Sequence, residues 1–283
     1  MGNEEQIEYW NGEAGKRWAQ DDDIMARLLL PISEALLDHA PVQNCRSALD
    51  IGCGGGSQSL MLAQRLQPGA RVLGVDISGP LLEVARAKIN TVNTDGAEVD
   101  FLQADAASHH FEPESFDLLF SRFGVMFFDD PVAAFSNLRG AMTPGGRVAF
   151  SCWQAMKSNE WTWIPIQTAL QHLPPPERPV PNAPGPFAFA DPVRLESILA
   201  DAGFSDIALQ PFNTTLRISE AGTLAEAVQE LTRIGPMGRL LQDQPQAALN
   251  KVFAALETAL LPYFREGALE LDSAIWLVTA KNA

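Results

Sequence analysis

The stretch Ala48-Leu-Asp-Ile-Gly-Cys-Gly-Gly-Gly-Ser-Gln-Ser-Leu60 constrains this chain more than any other. An apolar run ends in Asp50, and Gly52, Gly54, Gly55 and Gly56 follow within five positions. The run itself predicts a short buried strand, and Ser57–Leu66 predicts a helix. A strand that feeds a helix through a glycine-rich turn is a nucleotide-type site. Bare glycines let a ligand approach the main chain, and the helix N-terminus presents free amides to it.

Two chemistries compete for such a turn. The dinucleotide fingerprint G-x-G-x-x-G fails in both registers, because Ser57 takes the third glycine position counted from Gly52 and Ser59 takes it counted from Gly54. The pattern that fits is acidic-x-G-x-G-x-G, formed by Asp50, Gly52, Gly54 and Gly56, with Cys53 inside it. Asp76 closes the next apolar run, Val-Leu-Gly-Val-Asp-Ile-Ser, 20 residues after Gly56. A carboxylate there accepts hydrogen bonds from both ribose hydroxyls of an adenosine ligand, NAD included, and Ile77 beside it packs on an adenine face. A dinucleotide dehydrogenase therefore stays as an alternative, weakened by Ser57.

Strand and helix patterns alternate from about residue 47 to 153, which predicts right-handed βαβ crossovers in a doubly wound parallel sheet. Pro80 and Pro131 fall where first helical turns are expected, and Asp130 is placed to cap the second of these helices. The segment Asp21–Ala40 reads as amphipathic helix broken or kinked at Pro31. Thr143-Pro-Gly-Gly146 reads as a turn before a fifth strand. A proline-dense stretch, 174–190, predicts an extended connector. The domain reading is residues 1–40 as a helical cap, 41–154 as a Rossmann-like core, and 155–283 as substrate-covering helices with the last strands of the core sheet.

The motif set Asp50/Gly52/Gly54/Gly56, Asp76, Gln103-Ala-Asp-Ala106 and Thr-Pro-Gly-Gly resembles that of class I S-adenosylmethionine-dependent methyltransferases. Tyr9–Trp18, Ser121–Leu138 and the stretch from Pro144 to Gln154 are similar to a bacterial small-molecule branch near the ubiquinone/menaquinone-biosynthesis C-methyltransferases. The resemblance implies an α/β, doubly wound, seven-stranded Rossmann-like sheet with helical additions over the ligand side. It also implies S-adenosyl-L-methionine as cofactor and S-adenosyl-L-homocysteine as product. Asp105 is expected to receive the adenine amino group, Ala106 to touch the cofactor through its backbone, and Ser121 to meet it through its own. The N-terminal segment is expected to fold over the cofactor, with Trp18 and Trp10 near the sulfonium, where aromatic faces favour a cation.

A sulfonium methyl leaves readily, so the protein needs alignment and water exclusion more than covalent chemistry. No G-x-S-x-G or HExxH occurs in the sequence. His109 and His110 follow the third strand and are the candidate bases, with a solvated loop pair as the plainer reading. Asp129-Asp130-Pro131 invites a metal, but the stretch after the fifth strand offers no acid, so no metal is expected. Trp10, Phe123, Met126, Trp153 and Trp161 are candidate walls for a small apolar or aromatic acceptor, methylated at O, N or C. The alternative is a protein of this fold that binds the cofactor in a cyclase-like or regulatory role.

Net charge enters here as an exclusion. At −15, the chain has no overall basic character for nucleic acid or anionic lipid. No apolar run reaches the 18 or so residues a membrane span needs. Three cysteines without CxxC spacing read as reduced thiols of a cytoplasmic bacterial protein, a monomer or homodimer.

Overall fold

The computed structural model describes residues 4–89, 91, 96–175 and 183–283. The chain divides into two compact units: Met1–Cys152, Asn182–Pro211 and Trp276–Ala283 form the first, Trp153–Pro181 and Phe212–Ile275 the second.

Four short helices open the first unit: α1 (Glu4–Asn11), α2 (Glu13–Gln20), α3 (Asp22–Leu28) and α4 (Leu30–His39). The break expected near Pro31 falls at Leu29. Pro31 itself lies in the first turn of α4, where a missing N–H has no intrahelical partner to lose. Then come β1 (Ser47–Ile51), α5 (Ser57–Arg65), β2 (Arg71–Asp76), α6 (Gly79–Ile89), β3 (Glu98–Gln103), β4 (Phe116–Arg122), α7 (Pro131–Gly140) and β5 (Met142–Trp153). β1 pairs in parallel with β2 and β4, β2 with β3, and β4 with β5. All five residues of β1 are buried, as expected of a central parallel strand covered on both faces. The capping expectation at Asp130 holds: its side chain accepts from the Ala133 N–H at 3.0 Å.

The Thr-Pro-Gly-Gly stretch is not a separate turn. The β4–β5 register passes from Phe116↔Met142 to Leu118↔Arg147, so these residues bulge out of one continuous strand, with Gly145 at φ +77°. The helix expected over Pro80–Val92 is α6 as far as Ile89; of its remaining residues Asn90 and Val92 lie outside the described residues, as do 176–182 of the proline-dense connector.

The remaining elements are α8 (Glu160–Ala169), α9 (Pro192–Asp201), β6 (Phe204–Ser219), α10 (Leu224–Leu231), α11 (Pro236–Leu241), α12 (Gln246–Leu260), the two-residue β7 (Phe264–Arg265) and β8 (Ala268–Asn282). Strand order is β3-β2-β1-β4-β5-β8-β6, with β7 on β8. The seven expected strands form this path. The order reverses between β1 and β4, and in such sheets the crevice at that switch, beyond the carboxyl ends, is where ligands bind.

Phe135 organises the core of the first unit: the rings of Phe128, Phe150, Phe189 and Phe204 lie 5.7, 5.8, 6.3 and 6.3 Å from it. In the second unit α12 packs on α8 and α10 through Val252, Leu256 and Leu260, a fully buried stripe at spacing four. No helix among the described residues is long and apolar enough to cross a membrane.

Candidate active site

The glycine turn sits at the carboxyl end of β1, and its glycines serve different neighbours. Gly52, Gly54 and Gly56 have φ of +67°, +55° and +78°, a region that side chains rarely adopt. A Cβ on Gly52 would lie 2.6 Å from the Gly124 Cα, just beyond β4. One on Gly55 would lie 1.9 Å from Oδ1 of Asp22 in α3. One on Gly56 would meet Phe101 at 2.6 Å and Ala85 at 2.8 Å. A Cβ on Gly54 meets no protein atom within 4 Å. Three glycines thus admit the protein's own atoms, and Gly54 faces open space.

Carboxylates and hydroxyls of neighbouring strands fix this turn. Asp76 accepts from the Gly54 N–H and the Ser78 N–H, each at 2.8 Å. Burial pushes its pKa up, while those two amides pull it down. Asp50 is 1 % exposed and accepts from the Ser59 hydroxyl at 2.6 Å. Burial raises its pKa to about 7 against the opposing pull of Ser59 and the Arg122 cation. Ser121 donates to the Ile51 carbonyl at 2.7 Å and accepts from the Gly124 N–H at 3.1 Å, which ties the end of β4 to the end of β1. Cys53 is buried against Leu82, Ala85 and Phe101, so its side chain belongs to the core.

Asp105 shapes the turn after β3 by accepting from the Ala107 N–H and the Ser108 hydroxyl, both at 3.0 Å. Ala106 is buried, and its carbonyl accepts from Asn137 at 3.4 Å. The Ile77 carbonyl accepts from Asn11 at 2.9 Å and from Gln103 at 3.2 Å. Asp50 lies one residue before the end of β1, Asp76 ends β2 and Asp105 follows β3, along one edge of the sheet.

The N-terminal helices reach that edge through residues that sequence reasoning missed. Asn11 also accepts from the Gly79 N–H at 3.0 Å, and Ser78 donates to the Trp10 carbonyl at 2.8 Å. Asp22 pairs with Lys88 of α6, which donates in turn to Ser57 at 2.8 Å. Its carboxylate thus stands beside the amino end of α5, where a dinucleotide's pyrophosphate would need to lie. In the sequence, Asp22 reads only as part of an acidic helix start, and Asn11 carries no local signal at all.

Aromatic rings gather at the same edge. Trp10 lies 5.7 Å from Trp18 and 5.7 Å from Phe127, edge to face in both cases, and 5.3 Å from Tyr9. Phe123 is half-buried at φ +70°, whereas Met126 is buried in the core. Trp153 and Trp161 belong to the second unit, with rings 5.0 Å apart. His109 and His110 are not brought to the glycine turn. They line a groove of about 920 Å³ with Arg71, Glu98 and Phe116, residues at the amino ends of β2, β3 and β4. Among the described residues no three His, Cys, Asp or Glu side chains converge as a metal site would require.

The strand order and the bare turn at the switch point make a Rossmann-like sheet with a nucleotide-type crevice. Residues 49–150 match the methyltransferase domain family. A demethylmenaquinone methyltransferase of Thermus thermophilus is 38 % identical over 112 residues, 40 % of this chain and 47 % of that protein. The match thus spans under half the length of that relative. A trans-aconitate 2-methyltransferase of Azoarcus is 26 % identical over 238 residues, 80 % of this chain and 84 % of that protein. The structure of Haemonchus contortus phosphoethanolamine N-methyltransferase 2 with S-adenosyl-L-methionine superposes with a TM-score of 0.51 at 20 % identity, over 89 % of this chain and 52 % of that one. That likeness concerns the fold.

Proposed function

We propose that the chain transfers a methyl group from S-adenosylmethionine to an O, N or C atom of a small metabolite. The observation that carries this is Gly54. It is the one glycine of the turn whose Cβ direction meets no protein atom within 4 Å, and its N–H is held by the carboxylate best placed for a ribose. The residues fit the cofactor: Asp76 would hold its ribose, Asp105 and Ile77 its adenine, and the Gly52–Gly54 main chain its amino-acid arm. When bound, S-adenosylmethionine supplies an electrophilic methyl group and leaves as S-adenosylhomocysteine. The protein's part is to orient, to exclude water through the Trp10, Trp18 and Phe127 rings, and to favour a cation at an acidic edge. No side chain of the glycine-turn edge is assigned as a base.

The acceptor class we favour is apolar or aromatic, on the strength of those rings. The relatives' names span a quinone precursor and an aliphatic polyacid, so the experiment is a panel. Purified protein is incubated with S-adenosylmethionine and phenols, quinols, polycarboxylates and amines, and S-adenosylhomocysteine is quantified. Acceptor-dependent product supports the reading. Binding without turnover on any acceptor supports a non-transfer role. Three buried free thiols support a reducing, cytoplasmic setting, and the −15 charge supports a partner other than nucleic acid or an anionic membrane surface.

A further inference from the structure

Arg122 ends β4 and lies in register with Ser151 of β5. Paired residues of parallel strands point to one face, and Asp50, in register with Phe120, shares that face. The Arg122 guanidinium donates to Ser33 of α4 at 2.8 Å, yet its Nε is buried and has no hydrogen-bond partner among the described residues. Ser151 is 0 % exposed, and its Oγ is likewise without a partner. A guanidinium offers five donors in a fork that matches a carboxylate, and buried donors left without partners call for an account. Asp50 and Asp22 lie near enough to attract its charge, but neither carboxylate is hydrogen-bonded to it: Asp50 accepts from Ser59, and Asp22 pairs with Lys88.

We propose that Arg122, with Ser151 beside it, binds the carboxylate of the cofactor's amino-acid arm. This rests on the cofactor reading above. Asp105 follows β3, Asp76 ends β2, and Arg122 ends β4, two strands beyond β2 in the order β3-β2-β1-β4. At about 4.8 Å per strand, the edge from β3 to β4 is about 14 Å, which suits an extended S-adenosyl amino acid. Arg122 is thus a binding residue that sets the position of the sulfur between its two anchored ends.

The test is calorimetric titration of the full chain with S-adenosylhomocysteine and with 5′-methylthioadenosine, which lacks the amino-acid arm. Arg122→Met is expected to weaken S-adenosylhomocysteine about 10- to 100-fold and to leave methylthioadenosine within about twofold, because a charge-assisted pair is lost. Arg122→Lys is expected to recover part of the loss. Ser151→Ala, which keeps the shape, should weaken only S-adenosylhomocysteine, by several-fold, and serves if Arg122→Met does not fold. Equal losses for both ligands would show a structural role and overturn the inference. Unchanged affinity for S-adenosylhomocysteine would overturn it too, leaving an acceptor as the remaining anion for this arginine. A wild-type chain that binds neither ligand would overturn the cofactor reading itself.

Discussion

The carboxylate of Asp22 rests against Gly55, so close that any Cβ at that glycine would stand 1.9 Å from Oδ1. Asp22 is held there by Lys88, and both side chains are largely buried, at 13 % and 20 % exposure. The contact joins α3, the glycine turn and α6. It also explains why position 55 needs a glycine.

Gly55→Ala should therefore disturb the protein before any ligand is added. The new methyl must expel the Asp22 carboxylate and leave Lys88 without its buried partner. A loss of roughly 2–4 kcal/mol is expected, near the range for breaking a buried pair. Urea unfolding of the variant measures it; a midpoint equal to wild type would show that the N-terminal helices do not seat as described.

Gly54→Ala is the contrasting case. A Cβ there meets no protein atom, so the cost is the left-handed backbone alone, about 1 kcal/mol. Affinity for S-adenosylhomocysteine should nonetheless fall by an order of magnitude or more, because the methyl fills the approach to the turn. Titration and thermal melting of the same sample separate the two effects. Retained affinity would mean that no ligand comes close to this residue.

Asp76→Ala should weaken the cofactor by roughly 1–3 kcal/mol, since the ribose loses its acceptor and the Gly54 N–H loses its anchor. Asp76→Asn separates these roles: the amide oxygen keeps one acceptor, so a smaller loss is expected. Equal affinity in wild type and Asp76→Ala would place the ribose elsewhere.

Acidity of Asp50 gives a prediction in pH. Its folded pKa, about 7, lies above the ordinary carboxylate value of 3.8, so the native state binds the extra proton. Stability from this group is fully present below about pH 4 and declines as pH rises toward 7. The raised pKa of Asp76 acts in the same direction. Asp50→Asn should flatten the fall of Tm between pH 5 and pH 8, because an amide has no charge to bury and can still accept from Ser59. An unchanged slope would mean that Asp50 stays charged and compensated throughout.

Much of this was legible in the sequence because it is local. The alternation that makes β1 through β5, the Asp130 cap and the failed dinucleotide spacing at Ser57 all follow from neighbours within a few residues. The partners of the glycines were not legible. Gly52 answers to Gly124, Gly55 to Asp22 and Gly56 to Phe101, each far along the chain, and the fold alone brings them together. The same holds for Asn11, whose side chain caps the β2–α6 turn, and for the in-register pair Arg122 and Ser151. His109 and His110 illustrate the converse. They follow β3 in sequence, but the chain between β3 and β4 must return to the amino edge of a parallel sheet, and it takes the histidines with it.

Calorimetric titration of the wild-type chain with S-adenosylhomocysteine and, separately, with NAD reaches the central claim most directly. Asp22 stands where a pyrophosphate would need to lie, and Gly54 opens where a thioether arm would pass. The account predicts one saturable site for S-adenosylhomocysteine and no heat from NAD. Binding of NAD, or of neither ligand, would contradict it.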